Sequence, residues 1–325
     1  MNDVLVSICL PVFNAAASIE RCLNAVLAQD LEQAEIIVLD NASDDGTVEI
    51  ATRVLEGVAC ARVVRNERNI GRIGNWNRCL ELAQGRYIKF ALANDVLLKD
   101  SVKVLLREAQ RNAEVVMIGT KPRLVTEIPV ELPTMLPEAG RHDLSSVETL
   151  EFFGEHGFKT GGLNGMLIKR EPVTAKGLRF REDMPYAGDF FFGIQLAEEG
   201  RTIFLDAESH LFNTGSKTRF YFAGVDAHSV MEEHRVCTHE IARLLRRHGK
   251  DGAHAFKGLW NVYLWLFYEH QPFGVGESRR MFAGSVTHQW LAQGNSVLHK
   301  LNSVAPFLVP AARRLRKLGM ASREG

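Results

Sequence analysis

The alternation of short apolar runs with helical segments is the feature that most constrains the fold of this chain. Three of the apolar runs stop at clusters of short polar side chains: VSICLPVFN, EIIVLDNASDDGT and YIKFALAND. Continuous runs of Val, Ile and Leu are typical of parallel strands that are covered on both faces. Because ligands of open α/β sheets bind beyond the carboxyl ends of the strands, Asn14, Asp40 and Asp95 are predicted to meet in one crevice.

Segments with helical spacing separate these strands. Helices are predicted over 19–27, 47–55, 73–83 and 101–112, with ARVVRN and VVMIG as further strands. Strands that alternate with helices of this length imply right-handed crossovers, so the predicted fold class is α/β with a mainly parallel central sheet. Prolines between residues 120 and 160 predict loops or edge strands. Later segments are predicted as strands at NGMLIKRE and TIFLD, a helix from Asp189 to Leu196, and mostly helices from Ala227 onward.

Composition narrows the classes of function. The 325 residues carry 39 Lys and Arg against 39 Asp and Glu, so the overall charge gives no argument for nucleic acid binding. The charge is uneven along the chain, because residues 241–325 hold 13 basic and 4 acidic side chains. Five widely spaced cysteines without a CxxC pair favour a reduced, cytoplasmic setting. No stretch approaches the ~20 apolar residues of a membrane span.

The phosphate-binding fingerprints of other α/β proteins are absent from the sequence. PVFNAAAS follows the first strand in place of GxGxxG, and no GxxxxGK[ST] follows any strand. The ordered series PVFN, LDNASDDGT and a strand ending in acidic residues resembles the inverting family 2 glycosyltransferases with the GT-A fold, a Rossmann-like sandwich. The resemblance implies a nucleotide-sugar-binding and catalytic domain over residues 1–222, followed by a helical C-terminal extension over 223–325.

The family resemblance implies a set of residues that bind the donor nucleotide. The matching positions are Pro11, Phe13, Asn14, Asp40, Asn41, Arg72 and Asn94. The aspartate that ends the second strand contacts the nucleotide base in the family, and a carboxylate suits this role because it accepts hydrogen bonds from base N–H groups. In the alternative interpretation, Asp40 and Asn41 only turn the chain into the next helix. Arg72 has the alternative of an ordinary solvated arginine at a helix start.

The metal motif of the family is reduced in this chain. Family members carry an acidic pair after the fourth strand, whereas this sequence has Ala93, Asn94 and Asp95. One carboxylate remains as the implied metal ligand, with the Asn94 side-chain oxygen beside it. Mg²⁺ or Mn²⁺ sites rely on one or two carboxylates together with substrate phosphates and water. The resemblance therefore implies Mg²⁺ or Mn²⁺ as the cofactor, bound at Asp95.

The resemblance also implies a catalytic base for an inverting transfer. Family members place an acidic residue at the start of the helix that matches Asp189, and its pKa is expected to be tuned by Phe190 and Phe191. A plain helix cap is the alternative for Asp189. A further family position binds the diphosphate or metal beyond the last strand. No histidine of SHLFNTGSKTRFY stands in register with it, which leaves as candidates His210, Lys217, Arg219 and His228.

The C-terminal quarter has features of its own. LVPAARRLRKLG suits a helix on an anionic membrane surface, with a solvated basic tail as the alternative. WNVYLWLFYEH is predicted to form core or a contact between identical subunits rather than a sugar-stacking platform.

The leading hypothesis is transfer of a sugar from a nucleoside diphosphate donor, with a UDP-sugar favoured, to a hydroxyl of a glycan or lipid-linked acceptor of the cell surface. The enzyme would act in the cytoplasm or on the inner face of the membrane, without nucleic acid. One alternative is a non-catalytic nucleotide-sugar binding protein with a degenerate metal motif. Another alternative, a nucleotidyltransferase, lacks the expected glycine-rich and basic phosphate loop after the first strand.

Overall fold

The computed structural model describes residues 4–29, 32–135, 140–158, 160, 162–213 and 227–255. The strands of this part of the chain are β1 (Val6–Val12), β2 (Ala34–Asp40), β3 (Ala61–Arg65), β4 (Tyr87–Phe90), β5 (Val96–Leu97), β6 (Val115–Val125), β7 (Arg141–Leu144), β8 (Met166–Lys169) and β9 (Arg201–Asn213). The helices are α1 (Ile19–Leu27), α2 (Thr47–Val54), α3 (Arg72–Leu82), α4 (Ser101–Arg111), α5 (Ser146–His156), α6 (Arg170–Lys176), α7 (Gly188–Ala197) and α8 (Ala227–Arg247). The predicted α/β fold is confirmed.

One mixed sheet joins all the described strands. Its order is β3-β2-β1-β4-β8-β6-β9-β5, and β7 pairs with β9 outside this path. The strands β1 to β4 pair in parallel, as does β6 with β9. The pairs β4–β8, β6–β8, β5–β9 and β7–β9 are antiparallel. The parallel character predicted from the βα units therefore holds for the first half of the sheet, and the later strands enter it in both directions.

Helices cover both faces of the sheet. Alternate residues of each central strand point to opposite faces, so each strand packs against helices on both sides. On one side Ile8 and Val38 pack with α1, α2 and α4. On the other side Cys9 and Ile37 pack with α3, α5, α7 and α8. The strands β1 and β2 are buried along their whole length. Continuous apolar runs thus correspond to strands that have helices on both faces, as the sequence indicates.

The proline-containing segment forms edge strands, as the sequence predicts, and one helix that was not predicted. The strand β6 continues through Pro122, with register shifts on either side of Lys121. Pro122 is tolerated because β8 pairs with β6 only as far as Gly119, so beyond that point β6 has one hydrogen-bonded neighbour. The helix α5 then follows, and a capping box of Ser145 and Glu148 fixes its start. The end of β6, which has one hydrogen-bonded neighbour, and β7, which pairs with β9 alone, fit the predicted edge strands, whereas α5 does not fit the prediction.

The predicted C-terminal extension is described only as far as residue 255. The helix α8 packs against α5 and α7. No helix in the described ranges is long and apolar enough to span a bilayer. WNVYLWLFYEH and LVPAARRLRKLG lie outside the described residues, and the domain boundary at 222 stays a prediction. All five cysteines fall within the described ranges as free thiols, as the sequence predicts.

Candidate functional site

The loops after β1 and β2 lock together at the carboxyl edge of the sheet. The Asn14 backbone N–H donates to Ser43 Oγ at 2.9 Å, and the Asp44 N–H donates to Asn14 Oδ1 at 3.1 Å. Asn14 has a φ of 47°, a left-handed conformation that asparagine tolerates better than most residues. Phe13 is 49% exposed at the rim, whereas Pro11 is buried inside β1. The predicted residues Phe13 and Asn14 are therefore exposed at the carboxyl edge of the sheet, and Pro11 is buried within β1.

Asp40 lies buried at the end of β2 with one carboxylate oxygen in use. Its Oδ2 accepts from the Ser43 N–H at 3.0 Å and lies 3.4 Å from Arg65 Nε. Its Oδ1 is buried without a hydrogen-bond partner within the described residues. A buried acceptor without a donor costs about 1–3 kcal/mol, which a ligand N–H would recover. Asp40 thus holds the turn after β2, as the alternative interpretation predicts, and its Oδ1 atom is available to accept a hydrogen bond from a ligand.

Four asparagines form a network that joins the end of β2 to the start of α3. Asn41 Nδ2 donates to Asn69 Oδ1 at 2.8 Å and to the Gly71 carbonyl at 3.2 Å. Asn41 Oδ1 accepts from Asn66 Nδ2 and from the Ile70 N–H. The network continues from Asn66 Nδ2 to Asn75 Oδ1, each bond being 2.9 to 3.0 Å long. All the hydrogen-bonding groups of the Asn41 side chain are used within the protein, so Asn41 shapes the crevice by holding the loop before α3.

Asp95 is held by groups from two distant segments. Its Oδ2 accepts from Asn164 Nδ2 at 2.7 Å, and its Oδ1 accepts from the Asn213 N–H at 3.3 Å. Asn164 Oδ1 in turn accepts from the Leu92 N–H at 2.7 Å, and the Ser18 hydroxyl lies 3.5 Å from Asn94 Oδ1. Asp95 makes no cap at Ser101, where α4 begins. The contacts with Asn164 and Asn213 fix the carboxylate at the crevice floor.

A buried lysine supports this floor from below. Lys89 on β4 has no solvent exposure, and its Nζ donates to the carbonyl oxygens of Phe90, at 3.0 Å, and of Asn164. Burial lowers the pKa of Lys89 to about 7. The lysine thereby ties the segment that carries Asn164 to the end of β4.

The residues near Asp95 suit a hard cation only in part. Carboxylate and amide oxygens are the ligand types that Mg²⁺ and Mn²⁺ prefer, and Asp95 and Asn94 supply both. The described residues contain no group of three or more His, Cys, Asp or Glu side chains that would hold a metal by themselves. These ligands fit a site that is completed by diphosphate oxygens and water rather than a preformed protein cage.

Asp189 is the second residue of α7, and Ala187 occupies the N-cap position. The helix-cap alternative for Asp189 is therefore wrong. Its Oδ1 accepts from the Phe190 N–H at 2.8 Å, and a Cβ added to Gly162 would lie 3.3 Å from its Oδ2. Burial raises the pKa of Asp189 to about 6, against the opposing effects of the Phe190 N–H and the Arg72 guanidinium. This partly buried carboxylate has the character of a general base.

Arg72 begins α3 and reaches towards α7. Its guanidinium donates to the Pro185 carbonyl and lies 5.2 Å from the centre of the Trp76 ring. Burial raises the pKa of Asp189 and of Glu233 on α8, and the positive charge of Arg72 opposes this rise. Arg72 is exposed at the start of α3, as the alternative interpretation has it, and its role in donor binding stays a prediction.

Of the four candidates for a histidine or other basic residue that binds the diphosphate, only the side chain of His210 lies within the described residues. His210 is buried on β9, where its Nδ1 lies 3.1 Å from Ser209 Oγ. Lys217, Arg219 and the side chain of His228 lie outside the described residues. The sequence interpretation missed Asn66, Asn164 and Glu233. Asn66 directly follows β3 and shares the strand-end signal of Asp40, whereas Asn164 and Glu233 carry no local signal.

The sequence was compared with protein families and with known proteins. Residues 7–162 match the model of Glycosyl transferase family 2. An uncharacterised protein of Mycobacterium tuberculosis is 26% identical over 85% of this chain and 87% of its own length. The cholesterol galactosyltransferase of Borreliella burgdorferi is 25% identical over 84% of this chain and 76% of its own length.

Solved structures share the fold at low sequence identity. TarS of Staphylococcus aureus in complex with UDP-GlcNAc has a TM-score of 0.64 and 17% identity, covering 86% of this chain and 78% of its own. The mannosyltransferase PcManGT of Pyrobaculum calidifontis, with GDP-Man and Mn²⁺, has a TM-score of 0.54 and 17% identity, covering 93% and 80%. Residues 7–162 are therefore a family 2 glycosyltransferase domain, and the fold is that of GT-A glycosyltransferases such as TarS.

Proposed function

We propose that the protein transfers a sugar from a nucleoside diphosphate donor to a hydroxyl group, with inversion at the anomeric carbon. The observation that carries the proposal is the segment 162–164, which meets both key carboxylates. A Cβ on Gly162 would touch Asp189, and Asn164 donates to Asp95. One short segment thus contacts both the proposed metal ligand Asp95 and the proposed base Asp189.

In this mechanism Asp189 accepts the proton of the acceptor hydroxyl as its oxygen attacks the anomeric carbon. The attack comes from the face opposite the diphosphate, so the new glycosidic bond forms as the bond to the diphosphate oxygen breaks. The nucleoside diphosphate leaves with the electron pair of that bond. A general base contributes about 10²–10⁴-fold to such a step. Arg72 keeps a positive charge near the reaction without removing the raised pKa of Asp189.

Phe13, Asn14, Asp40 and Arg72 would bind the donor nucleotide, with the Asp40 Oδ1 acceptor available to a base N–H. Because Asp40 has no exposure, this contact requires the neighbouring side chains to move. Asp95 and Asn94 would hold Mg²⁺ or Mn²⁺ together with the diphosphate. The cation would offset the charge of the leaving group. Complexes of TarS with UDP-GlcNAc and of PcManGT with GDP-Man and Mn²⁺ support this class of donor.

We favour a UDP-sugar donor and a glycan or lipid-linked acceptor in cell-surface polysaccharide biosynthesis. The cholesterol galactosyltransferase of Borreliella burgdorferi supports an acceptor of the lipid class. A cytoplasmic location, peripheral contact of the basic C-terminus with the inner membrane face, and a homo-oligomer remain parts of this proposal.

The second candidate is a non-catalytic nucleotide-sugar binding protein. It is favoured by the reduced metal motif, in which both oxygens of Asp95 already accept hydrogen bonds from the protein. A panel of UDP-glucose, UDP-galactose, UDP-GlcNAc and GDP-mannose, with and without Mn²⁺, separates the two functions. We expect release of nucleoside diphosphate from one donor, and its loss in Asp189→Asn and Asp95→Ala variants that stay folded. Binding of a donor without turnover in any condition would support the second candidate.

A further inference from the structure

We propose that Glu233 on α8 is a positioning residue for Asp189, so that the helix following the transferase sheet takes part in the active centre. The inference deepens the proposed function, because it rests on the role of Asp189 as the base. Nothing in the motifs of the sequence points to Glu233, which lies 44 residues beyond Asp189.

The first observation concerns the start of α7. Helix starts leave backbone N–H groups without partners, and a side chain at the N-cap often supplies one. Ala187 occupies the N-cap of α7 and has no polar side chain. The N–H groups of Tyr186 and Ala187 both donate to Glu233 Oε2, each at 2.7 Å. A carboxylate from another helix thereby stabilises the positive end of α7, where negative charge is favourable.

The second observation is that Glu233 is buried and fixed. It is 7% exposed, whereas its neighbour Glu232 is paired with Arg235 on the surface of α8. A carboxylate loses much hydration on burial and remains there only when other groups replace the lost water. Burial raises the pKa of Glu233, and the two N–H donors and the nearby Arg72 charge offset this effect in part.

The third observation is that neighbouring side chains of α8 hold the same turn. The His234 ring lies 5.8 Å from the Phe190 ring, and Cys237 Sγ lies 3.9 Å from the Ala187 carbonyl oxygen. Glu233 and Cys237 are four residues apart, so they lie on one face of α8. This face therefore contacts the first turn of α7 on the backbone of Ala187 and on the ring of Phe190, which flank Asp189 in sequence.

The position of the base depends on this turn. Asp189 faces Gly162, which has no side chain to hold it, and its own hydrogen bond runs to the adjacent Phe190 N–H. The direction of its carboxylate is therefore set by the first turn of α7. A displacement of about 1 Å in a reacting group can reduce the rate by about 10²-fold. Loss of the Glu233 cap would allow such a displacement.

The test compares Glu233→Ala and Glu233→Gln with the matched control Glu232→Ala. The glutamine oxygen can accept both N–H groups, whereas alanine removes the acceptor. Each full-length variant is assayed for release of nucleoside diphosphate from UDP-glucose, UDP-galactose, UDP-GlcNAc and GDP-mannose. Hydrogen exchange of the Tyr186 and Ala187 amides reports on the cap without reference to activity.

We expect Glu233→Ala to lower kcat by about 10²-fold and to change KM for the donor much less, because Phe13, Asn14 and Asp40 lie on other elements. The Glu233→Gln variant should recover most of kcat, and exchange of the two amides should rise only in the alanine variant. Unchanged kcat in Glu233→Ala, or an equal loss in Glu232→Ala, would overturn the positioning role. If Glu233→Ala does not fold, failure of Glu233→Gln to retain kcat would also overturn it.

The proposed base is tested separately with Asp189→Asn. Full activity in that variant would remove the base assignment even if the amide exchange confirmed the cap. Faster exchange in Glu233→Ala without loss of kcat would instead retain the cap and reject its link to catalysis.

Discussion

Asp189, the proposed base, must be charged to accept a proton, and its burial disfavours the charged form. The pKa is raised from 3.8 to about 6, so the carboxyl group is protonated at lower pH and is a stronger base than an exposed aspartate when it is ionised. We therefore expect kcat to fall about tenfold per pH unit below pH 6, and to level off above it. A pH profile of kcat for nucleoside diphosphate release checks this expectation.

The matched control for the pH profile is Asp183→Asn. Asp183 lies in the segment before α7, where it is exposed and paired with Arg181. Its replacement should leave the acidic limb of kcat unchanged, whereas Asp189→Asn should lower kcat by about 10²–10⁴-fold. An acidic limb that persists at pH 6 in residual Asp189→Asn activity would assign the titration to another group.

The buried Lys89 side chain on β4 holds the segment that contains Asn164, which in turn donates to Asp95. Its pKa is lowered from 10.5 to about 7, so between these pH values the unfolded chain binds a proton that the folded chain lacks. The free energy of unfolding should therefore rise with pH across this window, by at most about 1.4 kcal/mol per pH unit from this group. Below pH 7 both states bind the proton, and this contribution to the slope ends.

We expect Lys89→Met to flatten that rise, as measured by urea unfolding at several pH values between 7 and 10. Lys169→Met is the control, because Lys169 lies at the more exposed end of the neighbouring strand β8. Equal pH slopes in the native protein and in Lys89→Met would contradict the shifted pKa of Lys89.

The helix α5 shows how a local sequence signal supports a distant site. Ser145 Oγ accepts from the Glu148 N–H at 3.4 Å, and Glu148 accepts from the Ser145 N–H at 2.8 Å. The Phe153 ring of α5 lies 5.4 Å from that of Phe190, beside Asp189. Replacing Ser145 by alanine should lower the free energy of unfolding by about 1 kcal/mol, whereas Ser145→Asp, which keeps an acceptor, should stay near the native value. Urea unfolding of both variants measures the difference.

The limits of sequence prediction follow from the range of the interactions. The strands β1, β2 and β4 were predictable because each is one buried apolar run that ends at polar residues. The capping box of α5 is also local, but the surrounding prolines favoured irregular structure. By contrast, the bond from Asn164 to Asp95 joins residues 69 positions apart, and the bond from Ala187 to Glu233 joins residues 46 apart. No periodicity carries such a contact, because tertiary packing alone creates it.

At the scale of the whole molecule, the residues proposed for donor binding and the proposed base come from different parts of the chain. The parallel strands β1 to β4 supply Asn14, Asp40 and the crevice floor. The antiparallel strand β8 is preceded by Asn164, and the later helices α7 and α8 supply Asp189 and Glu233. The segment 162–164 contacts both Asp95 and Asp189. We therefore expect a bound donor to raise the free energy of unfolding of the whole described sheet and its helices.

The reduced metal motif makes a further whole-molecule prediction. Asp95 is the one carboxylate of the motif, and its two oxygens already accept hydrogen bonds, so Mn²⁺ alone should leave Tm unchanged. UDP with Mn²⁺ should raise Tm more than UDP alone, since diphosphate oxygens complete the metal site. At about 100 times Kd a bound ligand stabilises the folded state by ~2.7 kcal/mol, which thermal denaturation readily detects. Asp95→Ala should remove the extra effect of Mn²⁺ and keep that of UDP, whereas a rise in Tm with Mn²⁺ alone would indicate a preformed metal site.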